Sequence, residues 1–200
     1  MSTMKLKMII ICMIVLNLVL ILKIFLVNIN NLKSDNSKNI SVNSYQRTLY
    51  ESYLTNGKSI PNLTFKNLLN EKQNLKTILG DCKSLLLIYS DVSCNPCVDS
   101  LITGCNQLAE KSKDKYKVVG ISHSQNMNYL RRFARINETK FPFLLDETGS
   151  MMKMLYLRAL PVVFMLDKNH VIVNSFFIDP NVKEINSTFF NAASVFLNGN

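Results

Sequence analysis

Four residues, Cys94-Asn95-Pro96-Cys97, stand between a continuous apolar run and a stretch with helical periodicity, and this succession restricts the fold more than any other feature. The run at 84–89 is typical of a strand that is buried on both faces of a sheet. After the motif, apolar side chains recur at positions 98, 101, 102, 105, 108 and 109, which is the spacing of one helix face. The sequence therefore predicts a buried strand, a tight turn and a helix at about 96–113.

Two cysteines with this spacing can form a redox-active dithiol or contribute half of a zinc site. Structural zinc usually needs a second pair of ligands at suitable spacing, but the other cysteines are single and the two histidines lie far apart. At a helix N-terminus, free N–H groups and the helix dipole stabilise a thiolate, which lowers the pKa of such a cysteine from ~8.5 into the range ~3.5–7.5. Cys94 is therefore the expected nucleophile, and Cys97 the residue that resolves a mixed disulfide. We expect no metal and no other cofactor.

The N-terminal stretch 8–27 is apolar except for one asparagine and one lysine, and as a helix it would span about 30 Å. Lys5 and Lys7 precede it, which favours a cytoplasmic N-terminus. Small residues of the kind found at signal-peptide cleavage sites do not follow it, and Cys12 lies inside the apolar run rather than at a lipoprotein site. We therefore expect residues 1–27 to be an uncleaved, single-pass signal anchor in the inner (cytoplasmic) membrane, with the C-terminal domain periplasmic or otherwise extracytoplasmic.

Residues 28–44 are rich in Asn, Ser and Lys and predict a flexible linker to a domain at 45–200. The formal net charge of +9 invites a nucleic-acid interpretation. However, the anchor and linker contain five of the 23 basic and one of the 14 acidic residues, which leaves 18 against 13 in the domain. No base-stacking aromatic residues are interleaved with the basic ones, so no nucleic-acid partner is expected.

The domain alternates between strand-like and helix-like segments. We expect an edge strand at 60–65, followed by an irregular or short helical segment at 68–79. Further strands are expected at 84–89, 116–122, 162–166 and 171–177, with an extended segment at 141–145. Helices are expected at 96–113, 126–137, 151–157 (capped by Ser150) and about 182–196. This order predicts an α/β sandwich with a central mixed β-sheet flanked by helices.

At this point the chain resembles the thioredoxin superfamily, in particular its membrane-anchored TlpA/ResA-like branch, over about 60–197. The resemblance rests on Cys94-Asn95-Pro96-Cys97 after the apolar strand and on the later stretch that begins Leu160-Pro161-Val162. It implies a thioredoxin-like fold in which Pro161 is a cis-proline that faces the Cys94–Cys97 disulfide. It also implies that the backbone of Leu160 pairs with an extended substrate peptide, and that Pro161 keeps metal ions away from the thiols.

Three positions depart from the pattern of these families. Ser93 replaces the tryptophan that thioredoxins carry before the first cysteine. Ile88 stands where many thioredoxins have a buried acid, and Ser100 where TlpA/ResA-like proteins often have a glutamate. Asp91 and Asp99 are nearby carboxylates at other positions, and we expect them to be surface residues.

The remaining cysteines and histidines have simpler interpretations. Cys105 lies on the apolar face of the motif helix and predicts a buried thiol. Cys82 precedes the central strand and could pair with Cys105 or with another protein. His170 lies in a predicted hairpin turn and is expected to be solvated, whereas His123 follows a strand end and is expected to have a structural role near the active-site edge.

Three functions are compatible with these features. The first is a membrane-anchored thiol–disulfide oxidoreductase that acts on protein or peptide disulfides, with a membrane or thioredoxin-like electron donor, and the family resemblance favours a reductant. The second is a thiol peroxidase related to peroxiredoxins, which carry threonine where Asp91 stands in this chain. The third is a non-catalytic or metal-binding module on the same scaffold.

Overall fold

The computed structural model describes residues 49–93, 95–112, 114–177 and 183–199, together with Lys23, and it describes only the backbone at 95–97 and 183–185. The chain divides into two units after Tyr45, and every described residue except Lys23 belongs to the second unit, Gln46–Asn200. The predicted anchor at 1–27 (apart from Lys23) and the linker at 28–44 lie outside the described residues and stay predictions. Within the described ranges, no helix combines the length and the apolar character needed to cross a membrane.

Strands and helices alternate along the second unit. The strands are β1 (Thr64–Asn67), β2 (Lys72–Asn74), β3 (Ser84–Ser90), β4 (Lys117–His123), β5 (Phe143–Leu145), β6 (Val162–Leu166) and β7 (Ile172–Phe177). The helices are α1 (49–55), α2 (Leu75–Leu79), α3 (Asn95–Lys111), α4 (Met127–Ile136), α5 (Ser150–Leu155) and α6 (Lys183–Asn198). The described strands form one sheet in the order β2-β1-β5-β4-β3-β6-β7.

Strand β3 lies inside this sheet, parallel to β4 and antiparallel to β6, and all of its residues are buried. Its side chains alternate between the two faces of the sheet. Leu85, Leu87 and Tyr89 belong to the core cluster that includes α3, α4 and α6. Leu86 and Ile88 belong to the opposite cluster, to which α2 and α5 contribute. The predicted α/β sandwich with a mixed sheet flanked by helices is therefore confirmed.

The edge of the sheet differs from the prediction. Strand β1 begins at Thr64 rather than at Ile60, and part of the segment predicted as irregular or helical is the strand β2. Strand β2 consists of Lys72, Gln73 and Asn74, which are exposed or half-buried at the edge. Because such a strand buries no apolar side chain, it has no apolar alternation by which the sequence could reveal it.

The start of α5 is a second correction, because Ser150 does not cap this helix. Gly149 is the N-cap residue, with a left-handed φ of 67°. The carboxylate of Asp146 instead receives hydrogen bonds from the backbone N–H groups of Ser150 (3.0 Å) and Met151 (2.9 Å) and from the hydroxyls of Thr148 (3.2 Å) and Ser150 (3.0 Å). The side chain of Asp146 is almost fully buried, so these four donors replace the water that its charge loses.

Replacing Asp146 by alanine is expected to lower the free energy of unfolding by about 2–4 kcal/mol, because buried donors at the start of α5 lose a charged acceptor. Chemical denaturation monitored by circular dichroism measures this change. The matched control is Asp167→Ala, which removes a half-buried aspartate that accepts two backbone bonds, from Asn169 and Val171. We expect the control to cost about 1 kcal/mol, and equal losses in the two variants would contradict the role given to Asp146.

Candidate active site

The turn that follows β3 is closed by three local hydrogen bonds. The backbone N–H of Ser93 donates to the carbonyl of Ser90 (2.9 Å), and the N–H of Ser90 donates to Oγ of Ser93 (3.0 Å). The N–H of Val92 donates to Oγ of Ser90 (3.2 Å). Serine hydroxyls compete well for backbone groups in such turns, so this local sequence fixes the direction in which the chain leaves the sheet.

Helix α3 begins at Asn95, one residue earlier than predicted, and continues to Lys111. Its first turn contains no acidic residue, so no side-chain charge in that turn offsets the positive end of the helix dipole. The side chain of Cys97 and the whole of Cys94 lie outside the described residues. The roles assigned to Cys94 and Cys97 therefore stay predictions, while the strand, turn and helix around them are present.

The register between β3 and β6 places the second predicted site element beside this turn. The last register pair is Ile88 with Val162, so Pro161 lies one residue beyond it, at the end of β3 from which the turn starts. The Leu160–Pro161 peptide bond is cis, which is the isomer that the resemblance implies. Pro161 is buried and Leu160 is half-buried. The fold therefore brings Leu160 and Pro161 to the same edge of the sheet as the start of α3, although Ser90 and Pro161 are 71 positions apart in sequence.

Asp91 and Asp99 are both exposed, as expected for surface carboxylates. Asp91 nevertheless accepts a hydrogen bond at its Oδ2 from the Ser124 hydroxyl, at 2.9 Å. Partial burial, and then the negative charges of Asp91 and Asp99, raise the pKa of the Tyr129 phenol above its usual range. Both aspartates, one on each side of the dithiol motif in sequence, therefore lie close enough to Tyr129 on α4 to affect its ionisation.

A groove of about 280 Å³ opens between α3 and α4. It is lined by Asp99, Tyr129, Arg132, Phe133, Ile136 and Asn137. The ring of Phe133 lies 4.9 Å from that of Tyr89 and 6.3 Å from that of Tyr129, measured between ring centroids.

Burial, only partly offset by the Ser122 hydroxyl, raises the pKa of Tyr89 well above its usual value. Tyr89 is therefore a neutral core residue rather than an acid or base.

The two other described cysteines, Cys82 and Cys105, are free, so the structure does not contain the Cys82–Cys105 pairing that the sequence left open. Cys105 is fully buried among the side chains of the core cluster under α3, as predicted. This burial raises the pKa of its thiol, which keeps it protonated. Cys82 is half-buried and donates its thiol hydrogen to the carbonyl of Leu79 at 3.3 Å.

His170 was expected to be solvated, and this prediction is wrong. It is 8% exposed, and its Nε2 lies 2.7 Å from the carbonyl oxygen of Gly80. It therefore joins the β6–β7 hairpin to the C-terminal end of α2, a long-range contact that a hairpin sequence does not reveal.

Nδ1 of His123 lies 2.9 Å from the carbonyl oxygen of Asp146, in agreement with a structural role. In the part of the chain that the structure describes, no group of three His, Cys, Asp or Glu side chains is placed to hold a metal ion.

Sequence reasoning missed the contribution of the loop between β4 and α4. Ser124 is almost fully buried, and Asn126 caps α4 by accepting hydrogen bonds from the N–H groups of Asn128 and Tyr129. An asparagine directly before a helix, such as Asn126, is a recognisable capping signal. Its contact with Asp91, 33 residues away, has no such signal.

Comparison with known proteins agrees with this architecture. The model of the AhpC/TSA family matches residues 56–175. The thiol-disulfide oxidoreductase ResA of Bacillus thuringiensis is 27% identical over 133 residues, which cover 63% of this chain and 75% of that protein. The ResA protein of Bacillus cereus is 26% identical over 133 residues, which again cover 63% of this chain and 75% of that protein.

Two solved structures show the same fold. One is a protein from Chlorobium tepidum that is provisionally named thiol:disulfide interchange protein DsbE, with a TM-score of 0.58 and 20% identity, covering 70% of this chain and 97% of that one. The other is the peroxidoxin BcpB of Mycobacterium tuberculosis, with a TM-score of 0.57 and 16% identity, covering 72% and 96%. At these identities the two structures support the fold alone. The family match spans more than half of the chain, which therefore belongs to the AhpC/TSA family and has a thioredoxin-like fold.

Proposed function

We propose that this protein is a thiol–disulfide oxidoreductase that reduces disulfides of proteins or peptides through the Cys94–Cys97 dithiol. The observation that carries the proposal is the register of β3 and β6, which places Pro161 next to the β3 end that precedes the motif. A dithiol at the start of α3 would have a helix N-terminus without acidic side chains in its first turn to stabilise its thiolate. The relatives named thiol-disulfide oxidoreductase ResA support the same activity.

The proposed reaction is a pair of thiol–disulfide exchanges. The Cys94 thiolate attacks one sulfur of the substrate disulfide, forms a mixed disulfide and releases the other substrate sulfur as a thiolate, which takes up a proton. The Cys97 thiolate then attacks the Cys94 sulfur, and the second substrate thiolate leaves. The substrate gains two electrons and two protons, and the protein is left with a Cys94–Cys97 disulfide that a membrane or thioredoxin-like donor must reduce.

The backbone of Leu160 would pair with the substrate segment beside the reacting disulfide, and Pro161 would cover the thiols from the opposite side. Leu160 is half-buried at the sheet edge, where part of its surface is accessible to a partner. Hydrogen bonds to the main chain of an extended peptide supply affinity, while pockets for its side chains would set any preference among sequences. We therefore assign the substrate class as protein or peptide disulfides and infer no cofactor.

We place the active domain outside the cytoplasm, held by an anchor at 1–27 in the inner membrane. The support comes from the sequence: a 20-residue apolar stretch at 8–27 preceded by Lys5 and Lys7. Retention in the membrane pellet after carbonate extraction, together with digestion of the domain by protease added to spheroplasts, tests this placement. Release of the whole protein by carbonate would contradict it.

Equilibration of the full-length protein in glutathione buffers of graded potential tests the activity. Trapping with a thiol-reactive maleimide and mass spectrometry of the 94–97 peptide then report the redox state. We expect one reversible two-electron transition, at a potential within or near the range of about −270 to −120 mV found for thioredoxin-like proteins. Absence of any reversible Cys94–Cys97 disulfide would falsify the proposal.

The peroxidase alternative makes a different prediction in the same preparation. The AhpC/TSA family match and the likeness to the fold of a peroxidoxin are what favour it. Consumption of hydrogen peroxide that depends on Cys94 but continues in Cys97→Ser would identify a peroxidase, since the first cysteine alone reduces the peroxide. Exchange with protein disulfides and a requirement for both cysteines would identify the oxidoreductase.

A further inference from the structure

The turn between β3 and α3 is joined to the N-terminus of α4 by a short chain of hydrogen bonds. The backbone N–H of Asn126 donates to Oγ of Ser124 at 3.1 Å, and the Ser124 hydroxyl donates to Oδ2 of Asp91 at 2.9 Å. Asn126 is itself the cap of α4. The position of Asp91 is therefore fixed to a second helix as well as to its own turn.

The direction of the bond between Ser124 and Asp91 follows from the number of protons available. A serine hydroxyl has a single proton to donate, and its oxygen already accepts the N–H of Asn126. An ionised carboxylate can only accept, so the proton of Ser124 points to Asp91. Ser124 is only 2% exposed, and a bond from a buried donor to a charged acceptor is stronger than one between neutral groups.

We propose that Asp91 is a positioning residue for the dithiol motif: its bond with Ser124 holds the turn before Cys94, and its negative charge opposes ionisation of the Cys94 thiol. This inference rests on the proposed function for its meaning in catalysis. Asp91 and Cys94 are three positions apart in sequence, so their Cα atoms are at most ~11 Å apart. This distance is comparable with the screening length of about 8 Å at physiological ionic strength.

Other ionisable groups lie at the same edge as Asp91. They are Tyr89 on β3, His123 at the end of β4, Asp99 on α3, and Tyr129 and Arg132 on α4. Of these, Tyr89 and Tyr129 are neutral at physiological pH, since the pKa of each is raised. Arg132 and Asp99 line the same groove with opposite charges, which leaves Asp91 as the carboxylate fixed to the motif turn.

The charge of Asp91 would make the couple more reducing. The helix N-terminus stabilises the thiolate and so the reduced form, whereas a fixed carboxylate near it does the opposite. A reduced form that is less stabilised corresponds to a lower reduction potential. Asp91 would therefore act in the direction required of a protein that reduces disulfides.

The first test compares Asp91→Asn with the natural protein, because asparagine can still accept the Ser124 bond but has no charge. The rate at which iodoacetamide alkylates Cys94 is measured against pH in the reduced, full-length protein. At low ionic strength we expect the midpoint to fall by ~0.3–0.6 pH unit, which is the effect of one charge at the limit of ~11 Å with an effective dielectric constant between about 80 and 40. The reduction potential should rise by up to about 20 mV, the equivalent of that shift for a two-electron couple.

The matched control is Asp81→Asn, the same change of charge before the opposite end of β3. Asp81 is exposed, and the seven residues of β3 place it roughly 23 Å from the motif turn. Its variant should titrate like the natural protein. A midpoint for Asp91→Asn that coincides with that of Asp81→Asn overturns the electrostatic part of the proposal.

The second test concerns the hydrogen bond. Asp91→Ala and Ser124→Ala each remove the bond between Ser124 and Asp91. Both variants should slow exchange with a protein disulfide by roughly 2- to 12-fold, which corresponds to the net free energy of one hydrogen bond. Asp91→Asn should retain a rate closer to that of the natural protein. Natural rates in both alanine variants overturn the positional part.

Alkylation requires only the Cys94 thiol, so a midpoint shift can be observed even if the Cys94–Cys97 couple fails to form a reversible disulfide. Failure of the proposed function is thereby distinguished from failure of this inference.

Discussion

Replacing Cys94 by serine is expected to reduce the rate of disulfide reduction by at least roughly 1,000-fold, because a serine hydroxyl is not ionised at neutral pH and cannot attack a disulfide sulfur. Replacing Cys97 by serine should leave the first attack intact but prevent resolution of the mixed disulfide. The measurement is insulin reduction by the full-length protein with dithiothreitol as donor, together with non-reducing electrophoresis. In Cys97→Ser we expect stable adducts with substrate proteins that disappear on reduction.

Cys82→Ser is the matched control for both variants, because it makes the same chemical change at a free, half-buried cysteine that lies outside the motif. We expect natural activity and no trapped adducts. Cys105→Ser is a poorer control, since its thiol is fully buried in the core and a hydroxyl there would lack a partner. Loss of activity in Cys82→Ser, or full activity in Cys94→Ser, would show that the motif has been assigned the wrong role.

A large effect on stability is expected at Gly120 in β4, which is the register partner of Phe143 in β5. A Cβ atom at Gly120 would lie 2.3 Å from the ring of Phe143. That ring is 1% exposed and packs against the rings of Tyr89, Phe133 and Phe141 at centroid distances of 5.8, 5.9 and 5.0 Å. Because the ring has no free space to move into, Gly120→Ala should lower the free energy of unfolding by about 2–3 kcal/mol.

Gly104 in α3 provides the comparison, since a Cβ there would lie 2.4 Å from the ring of Phe190. Phe190 is only half-buried, so its side chain can rotate away, and alanine in a helix interior is favoured over glycine by about 1 kcal/mol. We therefore expect Gly104→Ala to be within about 1 kcal/mol of the natural protein. Thermal and urea denaturation of both variants measure the difference. Equal losses of unfolding free energy in Gly120→Ala and Gly104→Ala would show that burial of the opposing ring does not determine the size of the loss.

The sequence was sufficient to predict the elements whose own residues show a clear pattern of apolar side chains. The apolar run of β3, the periodicity of α3 and the position of Cys105 on its buried face follow from side chains within one element, and the structure has each of them. The family resemblance also implied the cis Leu160–Pro161 bond, which local preferences of the residues do not indicate. The roles of Cys94 and Cys97 likewise come from the motif and its setting.

Contacts between distant segments account for what sequence reasoning did not find. His170 was placed in solvent, but the fold buries it against the carbonyl of Gly80, which is 90 residues away in sequence. The polar strand β2 exists because it pairs with β1, whose Phe65 is anchored in the core, rather than because of apolar side chains of its own. The first contact joins the His170 side chain to a backbone carbonyl, and the second joins two backbone segments. In both cases the partner group belongs to the backbone of a distant segment, which the local sequence does not specify.

By itself, the sequence determined the strand–motif–helix arrangement, because burial patterns and turn residues act over a few positions along the chain. Only the tertiary structure decided which groups surround that arrangement. The sheet register brings Pro161 beside the end of β3, and the loop before α4 brings Ser124 to Asp91. Such neighbours are selected by packing of the whole sheet and its helices, which the pattern of any single segment does not contain.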